Sequence, residues 1–152
     1  MILDKLLQFD PSGTAITSTA DSFNTIDLLN ARDLAANAEN PFVVVVTIGV
    51  ALTGNTGTYQ LLVRSSADDA TYVTLAQTVA FAIAQLTAGT VIKLPLPPMA
   101  ANPNALMPRY LKLSHTVGSG PFTAGTIEAD LVIMPQANPV GLNYAAGFSV
   151  AN

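Results

Sequence analysis

The sequence predicts an all-β fold: a jelly-roll-like β-sandwich of about eight short antiparallel strands with extended N- and C-terminal arms. Three observations carry this expectation. Apolar and polar residues alternate with the period of strands over much of the chain. Turn chemistry interrupts these runs at short intervals, with ten Gly and ten Pro in 152 residues. No long helical stripe is present. The length fits one domain, read as residues 1–134, followed by an uncharged arm over residues 135–152.

Each element has its own signal. Ala15–Thr19 and Asn24–Leu28 read as short strands, and Asp33–Asn37 as a single helical turn. Phe42–Val50 is a β-branched run too apolar for a strand with one wet face. Thr53–Gly57 is turn chemistry, and Tyr59–Ser65 alternates again, with Leu61 and Val63 on one face and Leu62 and Arg64 on the other. Ser66–Ala70 makes a second turn, in which Asx side chains bond back to the backbone. Tyr72–Leu75 returns as a strand, so residues 58–76 form a hairpin. Thr78–Leu86 fits either a strand or a short helical stripe and is taken as a strand. Val91–Leu96, Arg109–Thr116 and Thr126–Met134 complete the set, with a Pro-rich loop at 97–108 and a Gly118–Pro121 turn between the last two. There is no internal repeat at a fixed period.

Charge narrows the function. Half of the residues are hydrophobic and only 11% are charged, against about 25% in an ordinary soluble domain. A surface so short of charge suits a protein covered in part by other chains. The net charge of −4 and six basic residues argue against nucleic acid and against an anionic membrane surface. Met1–Asp10 has acids inside its apolar run and does not read as a secretory leader, so synthesis in the cytoplasm is expected. The absence of Cys removes disulfides, thiolate nucleophiles and Cys-based metal sites.

Catalysis finds little support. His115, the single histidine, shares a strand face with Leu111 and Leu113, while Ser114 points to the opposite face; it reads as a polar residue near a strand end. Glu128 and Asp130 lie two apart on one face, a spacing that a carboxylate pair needs and that any solvent-facing strand also shows. Asp68 and Asp69 offer oxygens to Ca²⁺ but are more simply turn residues. Gly118-Ser-Gly120 lacks the rest of a phosphate-loop pattern. The expectation is a protein that is not an enzyme and has no cofactor and no metal.

Two features point outward. The tail Pro135–Asn152 has no charge yet carries Val140, Leu142, Tyr144, Phe148 and Val150, which suits an arm lying on a neighbour better than a frayed end. Residues 1–39 hold six acids against Lys5 and Arg32, whereas 93–115 hold Lys93, Arg109 and Lys112 and no acid. This is either an accident of solvated faces or a pair of complementary patches.

Several stretches resemble a family of tailed-bacteriophage capsid cement (decoration) proteins. They are Met1–Phe9, Asn24–Leu28, Val63–Asp69, Leu86–Thr90, Pro108–Leu113 with Thr116–Gly118, Phe122–Thr126, and Gln136-Ala-Asn138. Asp68-Asp69, where Asp-Gly is expected, is a minor departure. The resemblance implies a jelly-roll subunit that forms a homo-oligomer, dimer or trimer, on the outer capsid surface of the virion and locks major capsid protein subunits together. It implies no catalytic residues. Partner contacts are expected from the arms and the basic strand: Leu3, Leu6, Phe9, Arg109, Lys112, Pro139, Leu142, Tyr144 and Phe148. The competing expectation is a β-sandwich glycan-binding module of a phage tail or cell surface, which needs an aromatic shelf or a Ca²⁺ site.

Overall fold

Apolar alternation becomes two facing sheets in the computed structural model, which describes residues 5–29, 42–54, 57–96 and 108–133. The strands are β1 (Gln8–Ala15), β2 (Ala20–Asp21), β3 (Ile26–Asp27), β4 (Phe42–Gly54), β5 (Thr58–Ser66), β6 (Val73–Gln77), β7 (Phe81–Ala82), β8 (Val91–Pro95), β9 (Tyr110–Gly118) and β10 (Phe122–Ile133). The first sheet runs β1-β10-β4-β8 and the second β2-β9-β5-β6, with β3 also on β9 and β7 also on β5. All pairings are antiparallel. Counting β2 with β3 and β6 with β7 gives eight strand positions, four to a sheet. Between these eight positions, every connection except that from β5 to the β6–β7 position crosses between sheets. This order is a jelly roll.

The core lies between the sheets. Val44, Val46 and Ile48 of β4 and Ile127, Ala129 and Leu131 of β10 face Tyr59, Leu61 and Val63 of β5 and Leu111 and Leu113 of β9. Each fully buried aliphatic side chain contributes about 1.5–3 kcal/mol by leaving water. Between β4 and β10 the register shifts repeatedly. At one shift the Val50 N–H donates to Thr126 Oγ1 at 3.0 Å, so a hydroxyl stands in for a ladder carbonyl.

Several elements depart from expectation. The first strand is Gln8–Ala15 rather than Ala15–Thr19. It tolerates Pro11 and a positive-φ Gly13 because it is an edge strand with register shifts. The Asn24–Leu28 expectation shrinks to Ile26–Asp27. Asn24 is diverted into bonds from its backbone N–H to the Phe9 carbonyl at 2.8 Å and from Nδ2 to the Gln8 carbonyl at 3.1 Å. Thr78–Leu86 is not one strand: Phe81–Ala82 pairs with β5, and Ile83–Gln85 winds into a 3₁₀ turn. The Gln85 side chain accepts from the Ala82 N–H at 2.9 Å, which closes that turn. The turn at Asp33–Asn37 and the arm 135–152 lie outside the described residues.

Candidate functional site

Polar side chains gather in two places, one inside the sandwich and one on its outer face. Inside, His115 of β9 is fully buried. Its Nδ1 lies 2.8 Å from the Tyr59 hydroxyl and its Nε2 3.0 Å from Asp10 Oδ2. The imidazole and phenol rings stack with centroids 6.0 Å apart. Burial pushes the Tyr59 phenol far above its ordinary value, and the Asp10 charge adds to it. The phenol therefore keeps its proton, and the imidazole bridges it to the Asp10 carboxyl through its two ring nitrogens. The other Asp10 oxygen accepts from the Phe23 N–H at 2.8 Å. Acid, imidazole and hydroxyl stand in the order of an acid–base relay, but all three residues are at most 1% exposed. At that depth the three belong to the core, and the network ties the first sheet to the second.

His115 is thus more than a polar residue near a strand end. A lone polar side chain on an apolar strand face, together with an acid directly after the apolar Leu6–Phe9 run, was the signal for such a buried pair. Chain spacing does not reveal that they meet.

On the outer face of the second sheet, β9 and β5 present Tyr110, Lys112, Ser114 and Thr116 beside Gln60, Leu62 and Arg64. Arg109 grips Asp27 with two bonds of 2.7 Å and stacks on Tyr110. This pairing holds the Asp27 carboxyl down at about 2. Lys112 lies 4.0 Å from Asp21 and 4.4 Å from the centre of the Tyr72 ring. The Tyr72 hydroxyl donates to Asp69. Burial and that bond to a carboxylate push the phenol up to about 12. Arg64 and Tyr72 belong to this group and were not among the expected contact residues. Lys93, grouped with the basic stretch in sequence, is on β8 in the other sheet.

The remaining expected residues divide clearly. Leu6 is exposed on the 3₁₀ turn Lys5–Leu7. Phe9 is a correction: it is fully buried in the core, because the strand starts at Gln8 and turns the ring inward, so it offers no surface to a partner. Leu3, Pro139, Leu142, Tyr144 and Phe148 lie outside the described residues.

The acids resolve too. Asp68 Oδ1 accepts from Ser66 Oγ at 2.7 Å, the Thr71 N–H at 2.9 Å and the Ala70 N–H at 3.0 Å. These bonds, that from the Thr71 N–H foremost, hold its carboxyl down at about 2 and make it the pivot of the turn between β5 and β6. Asp130 is not on a solvated face: it is only 7% exposed, and its Oδ1 is buried with no hydrogen-bond partner among the described residues. Burial pushes its carboxyl up, and the charges of Glu128 and Asp10 add to that, against a bond from Gln8.

No curated protein matches the chain. A family model does, over residues 11–131, from within β1 to near the end of β10. With most of the jelly roll inside that match, the chain belongs to the Bbp16 family, a phage-associated family.

Proposed function

We propose that this protein is a capsid cement protein. It forms homo-oligomers on the outer surface of a tailed-phage head and stabilises contacts between major capsid protein subunits. The role is structural, with no reaction and no cofactor. The observation that carries this reading is an eight-position jelly roll that coincides with the match to a phage-associated family. The scarcity of charge supports it: at 11% charged residues, much of the surface suits contact with other chains. A cement subunit gains from modest contacts repeated over a symmetric shell, where avidity multiplies weak affinities.

The test is the copy number of this chain in purified particles of the phage that encodes it, by quantitative mass spectrometry against the major capsid protein. A copy number of the same order as the capsid protein is expected. A handful of copies would move the chain to the tail and overturn the cement reading, as would its absence.

A further inference from the structure

The outer face of the second sheet holds two like charges side by side. Arg64 on β5 is directly opposite Lys112 on β9, an arrangement that works against a sheet unless something offsets it. Tyr72 supplies part of the offset, its ring centre 5.8 Å from the Arg64 guanidinium carbon and 4.4 Å from the Lys112 ammonium. Asp21 supplies the rest to Lys112, at 4.0 Å.

Arg64 is left differently. Nη2 donates to the Tyr72 carbonyl at 3.2 Å, and Nη1 reaches Ser114 Oγ at 3.5 Å. Both acceptors are neutral. Among the described residues no carboxylate lies within ion-pair distance of this guanidinium. A guanidinium has five N–H donors, so Arg64 keeps capacity for a charged acceptor. It lines a shallow groove of about 510 Å³ together with Leu62, Thr74, Ser114, Thr116 and Asp21. Asp21 does not compete for Arg64, because Ser114 holds its Oδ1 and Lys112 faces its Oδ2.

We propose that this groove takes an acidic side chain, glutamate or aspartate, from an extended segment of a neighbouring protein. Arg64 receives the carboxylate through its planar fork. The Thr74 and Thr116 hydroxyls supply further donors, and Leu62 lies under the aliphatic stem. A sugar fits less well, since the Tyr72 ring is engaged by two cations and lies outside the groove. The proposal relies on the cement reading only for which protein supplies the segment, namely the capsid subunit.

Two measurements separate the ideas. In solution, the Arg64 Nε–H resonance is followed by NMR during titration with a capped Glu-rich peptide and with its Gln counterpart. The Glu peptide is expected to shift Arg64 and the Ser114 and Thr116 amides, with the effect fading at about 0.5 M salt as screening demands. The Gln peptide leaves them unmoved, and Arg64→Gln abolishes the response. Thr116→Trp fills the groove while keeping the Arg64 side chain and does the same, which guards against misfolding of either variant alone. Equal shifts with both peptides, or none with either, would overturn the proposal. So would a response to a neutral oligosaccharide in place of the peptide, or shifts that track protein concentration without any peptide.

On particles stripped of this protein, Arg64→Gln is expected to weaken rebinding by about tenfold, the loss of one charge-assisted contact. Undiminished rebinding of the variant would overturn the capsid as the partner. If the wild type itself fails to rebind, the cement reading falls, and the peptide titration still decides the groove.

Discussion

His115 Nε2 lies 3.0 Å from Asp10 Oδ2, across the interior of the sandwich, between residues 105 positions apart in the chain. Asp10→Ala would leave the buried imidazole and the part-buried Phe23 N–H without their acceptor. The expected loss is about 3 kcal/mol of stability, measured by urea unfolding. Tyr59→Phe removes only the hydroxyl donor and is expected to lose about 1 kcal/mol. If Asp10→Ala proved as mild as Tyr59→Phe, the carboxylate would not be the anchor described here.

Gly125 on β10 has φ +147, and a Cβ there would lie 2.7 Å from Leu52 Cδ2 and 3.0 Å from Leu52 Cα. The backbone of β4 cannot step aside as a flexible side chain does. Gly125→Ala is therefore expected to destabilise by about 2 kcal/mol or more, seen as a lower melting temperature. An unchanged melt would mean that β4 and β10 are further apart at this point.

Asp130 should be a liability at neutral pH. Burial raises its carboxyl, with Glu128 and Asp10 adding to the effect, so the folded chain holds this proton more tightly than the unfolded chain does. The penalty is in full force above the raised value and vanishes below the ordinary carboxylate value of about 4. Asp130→Asn is expected to raise the melting temperature at pH 7 and to bring less benefit near pH 4. A lower melting temperature at pH 7 would contradict this reading.

Asp27 behaves in the opposite sense. Arg109 holds it down at about 2, so its contribution is complete above an ordinary value of about 4 and disappears as the pH falls toward 2. Melting curves of the wild type and Asp27→Asn should differ at about pH 6, draw together as the pH falls below about 4, and converge only below about pH 2. Both partners are well exposed, so added salt should narrow the difference too. A gap that persists in acid would assign it to something other than this ion pair.

The long strands were legible because alternation over many residues leaves one solution. Phe42–Val50 and Tyr59–Ser65 reappear whole within β4 and β5, and Arg109–Thr116 reappears as β9, which starts one residue later at Tyr110 and runs on to Gly118. Two-residue strands such as Ile26–Asp27 were not, since their partner on β9 decides them rather than their own propensity. Phe9 shows why an apolar residue near a chain end is ambiguous: a core position and a contact position ask for the same side chain. Asp130 shows a related limit, because alternation assigns a face and says nothing about how deep that face lies. The Arg64–Lys112–Tyr72 group arises from register across the second sheet, which no single stretch of sequence contains.

The strand order also sets a schedule for synthesis. β10 lies between β1 and β4, so the first sheet is in two pieces until residues 122–133 have left the ribosome. Until then β1 has no strand beside it in that sheet, and β4 keeps its apolar run bare on one edge. Pairings between such distant segments form slowly, and bare strand edges recruit other chains. Where many copies are made at once, the yield would therefore depend on how fast β10 slots home, with crowding of unfinished chains as its competitor.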